Sequence, residues 1–141
     1  MDSWLNRTEN LIGTNALEKL KNSNVAIIGI GGVGSFCAEA IARSGINNIT
    51  LIDNDVVDIT NINRQLIADT TTIGKSKVEI MKERILKINP SANITIHPIF
   101  IDEENIPTLI SSKFDYVIDC IDNINSKVAL IEYCYNPSLP L

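Results

Sequence analysis

The apolar positions along the chain change period several times. VAIIGI (25–30) and NITLID (48–53) are unbroken apolar runs rich in β-branched residues. That is the pattern of strands buried on both faces, as in a parallel sheet. NITIHPIF (93–100) and FDYVID (114–119) read as two further strands. Between the runs the spacing becomes helical. Residues 33–44 form a helix closed by Gly45. In 74–90, Val78, Met81, Ile85 and Ile88 recur at three- and four-residue steps, and Pro90 stops the helix. A short helix is expected within 102–112, around 106–110. Another at 124–136 is apolar at Ile124, Val128, Leu130, Ile131 and Tyr135. Ahead of the first strand, 2–22 reads as a helical arm with Leu5, Leu11, Ile12, Ala16, Leu17 and Leu20 on its apolar side. It is broken near Gly13 and ended by the turn cluster KNSN at 21–24. The stretch 54–74 is polar and irregular, and PSLPL reads as the approach to another strand.

Strand–helix alternation of this kind predicts an α/β fold, a doubly wound, mainly parallel Rossmann-like sheet. The expected division is an arm at 1–22 and a single sheet unit at 23–141. The chain holds no internal repeat or linker. The sheet is small and its end abrupt, so the chain is expected to be the front part of something longer.

Composition narrows the function. With 141 residues, 45% apolar and 21% charged, the chain can bury a core; only 5% aromatic content makes that core aliphatic. No apolar run is long enough to span a bilayer. The opening MDSWLNRTEN is too polar for a secretory signal. Three cysteines without a C-x-x-C pair exclude a disulfide framework and a cysteine-based zinc site within the chain. A reducing, cytoplasmic setting is the expectation. A net charge of −5 argues against a surface that clings non-specifically to nucleic acid.

Four constellations carry chemistry. Gly29-Ile30-Gly31-Gly32-Val33-Gly34 is a G-x-G-x-x-G between a predicted strand and a predicted helix, the context in which such a loop cradles phosphate at a helix N-terminus. Asp53 ends the second strand, where a carboxylate can accept ribose hydroxyls. To this point a dinucleotide and ATP fit equally. Asn61-Ile62-Asn63-Arg64-Gln65 and Lys77 favour a triphosphate, which needs cations to hold its anionic groups and stabilise a leaving pyrophosphate. On residue type alone Lys77 is one more solvated cation, because Lys75, Lys82, Arg84 and Lys87 share its helix with Glu79 and Glu83. Asp119-Cys120-Ile121-Asp122 ends the fourth strand. Its carboxylates suit magnesium held together with phosphate oxygens; a loop cap at Asp119 and a solvated Asp122 would look the same. Cys37, Cys134 and His97 read as packing or structural residues, and Cys120 as a neighbour of the site without a redox role.

Taken in order, G-x-G-G-V-G, L-I-D, N-x-N-R-Q, G-x-x-K, I-N-P and D-x-x-D resemble the adenylating superfamily of ubiquitin-activating enzymes over essentially the whole chain. The segments GIGGVGSFCAEAIARSG and DYVIDCIDNINSKVALIEYC look most like its tRNA threonylcarbamoyladenosine dehydratase branch. The resemblance implies that Gly29, Gly31, Gly32 and Gly34 surround the phosphates of ATP and that Asp53 binds the ribose. It implies that Asn61 and Arg64 touch the triphosphate, with Gln65 in the same motif, and that Lys77 also holds phosphates. Asp122 would hold Mg2+ near the α-phosphate, and Arg7 would reach the ATP of the partner subunit in a homodimer. Arg64, Lys77 and Asp122 would be the catalytic groups. The implied reaction is attack of a substrate carboxylate on the α-phosphate, giving an acyl-adenylate and pyrophosphate. The carboxylate would belong to a threonylcarbamoyl group on a tRNA anticodon-loop adenosine. The alternatives are the C-terminal Gly of a ubiquitin-like sulfur carrier, or a nucleotide-binding fragment without activity.

Overall fold

Strands β1 (Asn24–Ile28), β2 (Asn48–Ile52), β3 (Asn93–His97) and β4 (Tyr116–Asp119) form one sheet in the order β3-β2-β1-β4 in the computed structural model, which describes residues 3–141. Every neighbouring pair is parallel, with Asn24 opposite Asn48, Val25 opposite Tyr116, and Asn48 opposite Asn93. The helices are α1 (Asn6–Ile12), α2 (Thr14–Lys21), α3 (Gly34–Arg43), α4 (Lys77–Ile88), α5 (Ile106–Leu109) and α6 (Ile124–Tyr135).

Successive side chains of a strand point to opposite faces, so the apolar runs of β1 and β2 feed two cores. Val25, Ile27, Ile49 and Leu51 pack with Ala38 and Ala42 of α3 and Val78, Met81 and Ile85 of α4. Ala26, Ile28 and Ile52 pack on the other face with Ile106, Ile110, Leu130 and Cys134. This is the doubly wound arrangement that the alternation predicts.

Several boundaries are shorter than expected, for identifiable reasons. β1 stops at Ile28 because Gly29 turns the chain with φ +92°. β3 stops at His97 because Pro98 has no N–H to continue the ladder. The arm does break at Gly13, but its apolar side is not buried as a unit. Leu5 and Leu17 are buried, whereas Leu11 is 85% exposed. A Cβ on Gly45 would lie 3.0 Å from Leu5 Cδ1, so Leu5 seats the arm at the C-terminal end of α3. The first two residues of the expected arm lie outside the described residues. α6 also departs from expectation: it buries Ser126, Leu130 and Cys134, and leaves Ile124, Val128, Ile131 and Tyr135 exposed. Helix α6 is apolar on both sides, so periodicity alone chose the wrong one. The tail runs beside β4, where Val117 N–H donates to the Pro140 carbonyl at 2.8 Å, without forming a strand. Among the described residues no helix is long and apolar enough to cross a membrane.

Glu39 on α3 clamps α4. Its carboxylate accepts from Arg84, and from Arg43 at 2.9 Å. The hydrogen bond from Arg84 is the main reason that its pKa lies below the ordinary carboxyl value of 4.5. A carboxyl depressed on folding adds stability above its unfolded pKa, and that increment is lost as pH falls through the folded value. Melting curves of Glu39→Gln against the parent are therefore expected to differ most near neutral pH and to converge on acidification.

Candidate functional site

The chain leaves β1 on one face of the sheet, into α3, and leaves β4 on the other, into α6. A crevice therefore opens at the carboxyl ends of these neighbouring strands, where ligands of open α/β sheets bind. A cleft of about 850 Å³ lies there, bordered by the glycine loop, Asp53, Arg64, Gln65, Lys77 and the 119–122 segment.

The glycines divide into two pairs. A Cβ on Gly29 would lie 2.4 Å from the Cys120 carbonyl oxygen, and one on Gly34 would lie 1.6 Å from that of Gly29. These two let β1, β4 and α3 meet. Gly31 and Gly32 are different: their Cβ positions are 3.7 Å from Gln65 Nε2 and 3.6 Å from Arg64 Cγ. The protein would accommodate a methyl there, so their small size serves what enters the cleft. Ser35, which the sequence reading passed over, fixes the loop. Its hydroxyl donates to the Gly31 carbonyl at 2.5 Å and accepts from Leu66 N–H at 3.1 Å. A fully buried serine in the first turn of α3 thus joins the glycine loop to the Asn61–Gln65 segment.

Asp53 holds the opposite side of that loop. Its carboxylate accepts from Ile30 N–H at 2.7 Å and from Asp55 N–H at 2.8 Å. It still has lone pairs for a ligand hydroxyl. Asn61 is buried outside the lining of the cleft and accepts from Asp58 N–H at 2.9 Å in the capping box of the 3-10 turn Ile59–Asn61. That turn aims the residues after it. Arg64 reaches over Gly32, with Nη1 donating to the Thr60 carbonyl at 3.1 Å and Asn63 Oδ1 at 3.0 Å. No carboxylate pairs with Arg64 among the described residues, so its charge is available to an anion. Gln65 is buried and its Oε1 has no hydrogen-bond partner. An orphaned acceptor costs about 1–3 kcal/mol, and a ligand donor would relieve it.

Lys77 is not a solvated surface lysine. It is 5% exposed, and its Nζ lies 3.4 Å from Asp55 Oδ2. An antiparallel bridge between Val56 and Ser76 carries it there, reinforced by Val57 N–H to the Lys75 carbonyl at 2.8 Å. On the β4 side, Asp119 is a structural group: it accepts from Ile121 N–H at 2.9 Å and from Lys127 Nζ at 2.7 Å. Lys127 also borders the cleft and was given no role on sequence grounds. Asp122 borders it too, exposed and without a hydrogen bond or ion pair among the described residues. Arg7 is exposed on α1, outside the cleft. Its neighbour Leu5 sits at the far end of the ten-residue helix α3, roughly 15 Å from the glycine loop by helix rise.

Cys37 and Cys120, given no link by the sequence, are neighbours in the fold: a Cβ on Gly34, one helical turn before Cys37, would lie 3.2 Å from Cys120 Cβ. The proximity of Cys120 draws the Cys37 thiol down to about 7, while the Cys120 thiol is pushed up by Cys37 and by burial. Cys134 is buried, as expected.

With this geometry established, comparison with known proteins is informative. The ThiF family model matches residues 5–141. The chain belongs to the ThiF family. It is similar to the tRNA threonylcarbamoyladenosine dehydratase of Bacillus subtilis (strain 168), at 49% identity over 96% of this chain and 53% of that protein. It superposes on the structure of Escherichia coli tRNA N6-threonylcarbamoyladenosine dehydratase in complex with ATP with a TM-score of 0.95 and 44% identity, over 100% of this chain and 59% of that one. The Escherichia coli (strain K12) molybdopterin-synthase adenylyltransferase is 36% identical over 88% of this chain and 49% of its own length. This ThiF-family chain therefore spans about half the length of the curated relatives it matches.

The glycine pairs of the ThiF-family loop are separable by mutation. Gly34→Ala is expected to lose at least about 3 kcal/mol of stability, because backbone must move. Gly32→Ala should melt within about 0.5 kcal/mol of the parent and yet bind nucleotide more weakly. Thermal melts and a nucleotide titration on both variants check this.

Proposed function

We propose that the protein containing this chain adenylates a carboxylate with ATP, and that the carboxylate is the threonylcarbamoyl group of a tRNA anticodon-loop adenosine. The observation that carries the reading is that Arg64, which reaches over Gly32, and buried Lys77 border the same cleft as the glycine loop. A relative at 49% identity named for this reaction supports it. The glycine-loop amides and the N-terminus of α3 would receive phosphate oxygens. Asp53 would take the ribose. Arg64 offers a planar fork and Lys77 a point charge to the phosphates, so charge accumulating on the departing pyrophosphate meets cations already in place.

Asp122 fits a magnesium ion, since it is a free hard-oxygen donor on the cleft wall, and such an ion takes one or two carboxylates together with phosphate. When bound, the ion would offset the charge that grows at the α-phosphate. Asn61 would act through the 3-10 turn that aims Arg64, in addition to any direct contact. Arg7 cannot reach the cleft of its own chain from the far end of α3, which supports a homodimer in which it serves the partner's site. A cytoplasmic setting accompanies this reading.

Asp122→Asn tests it, because the substitution keeps the side chain's size and removes its charge. In the full-length protein, pyrophosphate release should fall roughly a hundredfold or more, while ATP affinity changes far less. Asp119→Asn should instead cost stability, since it releases Lys127 and Ile121 N–H. Near-normal turnover in Asp122→Asn, with a folded but inactive Asp119→Asn, would show that the wrong carboxylate has been chosen. Pyrophosphate release stimulated by a ubiquitin-like carrier, and not by threonylcarbamoylated tRNA, would move the protein to the carrier-activating branch.

A further inference from the structure

The reading above leaves two thiols without a task. Cys37 lies in the first turns of α3, and Cys120 directly follows β4. The fold presses them together: a Cβ on Gly34, one helical turn before Cys37, would sit 3.2 Å from Cys120 Cβ. Both residues are partly exposed rather than sealed in a core. Cys134 is buried in the core on the other face of the sheet, whereas Cys120 packs against the α3–α4 core. It is therefore not placed to compete for either thiol.

We propose that Cys37 and Cys120 form an oxidation site, in which a hydroperoxide converts the two thiols to an intramolecular disulfide that staples the end of β4 to α3 and weakens nucleotide binding. Cys37 attacks first, because the N-terminus of α3 favours an anion there. Its sulfur bonds to the near oxygen of the hydroperoxide and the O–O bond breaks. The departing oxygen takes up a proton and leaves as water, or as an alcohol if the peroxide is organic. Cys37 is now a sulfenic acid. The Cys120 sulfur then attacks the Cys37 sulfur, the S–O bond breaks, and the hydroxyl leaves as water with the proton lost from Cys120. In sum, the two sulfurs give up two electrons and two protons, and the hydroperoxide accepts them.

The staple has a consequence for the cleft. Neighbouring thiols must approach to about 2.0 Å to bond. The first turn of α3 cannot yield, because Gly34 is already against the Gly29 carbonyl. The 120–122 stretch is therefore the part that moves, and it carries Ile121 and Asp122 along the cleft wall. By reciprocity, a nucleotide in the cleft opposes oxidation to the same degree. This second half rests on the nucleotide reading of the cleft; the disulfide itself does not.

The experiment exposes the protein to hydrogen peroxide, then measures intact mass, free thiols and ATP affinity. The expected result is a loss of about 2 Da and of two thiols, reversed by dithiothreitol, with ATP binding weakened about tenfold or more. Cys37→Ser and Cys120→Ser should each abolish the mass loss, and Cys134→Ser should leave it. Oxygen addition at single cysteines, disulfide-linked dimers, or a mass loss that survives Cys37→Ser would overturn the site. Equal ATP affinity of the reduced and oxidised forms would overturn the staple. A disulfide that forms in a protein binding no ATP in either state would overturn the nucleotide reading and leave the oxidation site standing.

Discussion

Gly29 and Gly34 approach so closely that a single methyl on either would collide with backbone. The rest of the site follows from that contact. It lets the chain turn out of β1 and enter α3 without a gap, and it lets the end of β4 lie against the same turn. Close packing here leaves Gly31 and Gly32 on the border of the cleft. The strand order β3-β2-β1-β4 then assigns the walls: Asp53 from the end of β2 on one side and Asp122 from beyond β4 on the other. Ser35 extends the constraint to a third segment by holding Gly31 and Leu66 with one hydroxyl.

The charges in the cleft are unevenly satisfied. Asp53 and Asp119 have their oxygens engaged by backbone amides or Lys127. Lys77 is buried with one ion-pair partner, Asp55 at 3.4 Å, and Arg64 has neutral partners only. A buried ammonium with little compensation is expensive, and an anionic ligand between Lys77 and Arg64 would supply what the protein does not. Asp122 is the converse, a carboxylate left to solvent at the opposite wall. On the function proposed above, this arrangement would suit a polyanion that brings a cation with it.

The sheet, its parallel sense and the glycine loop were legible in the sequence because apolar runs and glycine spacing are local signals. Sequence also brought Asp53, Arg64, Lys77 and the Asp119–Asp122 pair to one place. What it could not show depends on contacts between distant segments. Lys77 looks like a solvated helix residue until the Val56–Ser76 bridge turns it inward. That the Asn61 oxygen caps a turn depends on Asp58 N–H, which no motif spacing announces. The buried side of α6 is undetermined by its own residues, since both sides are apolar. Cys37 and Cys120 gave no signal, because nothing in either neighbourhood names the other.

The pairing of β1 with β4 bears on how the molecule assembles. Asn24 N–H donates to the Asp115 carboxylate at 2.8 Å across ninety-one positions of chain. Loop-closure entropy rises with the length enclosed, so among the sheet's pairings this one carries the largest such cost. A chain that has joined β1, β2 and β3 already owns the glycine loop and Asp53, yet lacks the wall from Asp119 to Asp122. On the proposed function, a nucleotide would have its complete site only after the longest loop has shut. Its stabilising effect would therefore fall on the fully assembled state by mass action, slowing unravelling of the β1–β4 seam rather than guiding the earlier steps of folding.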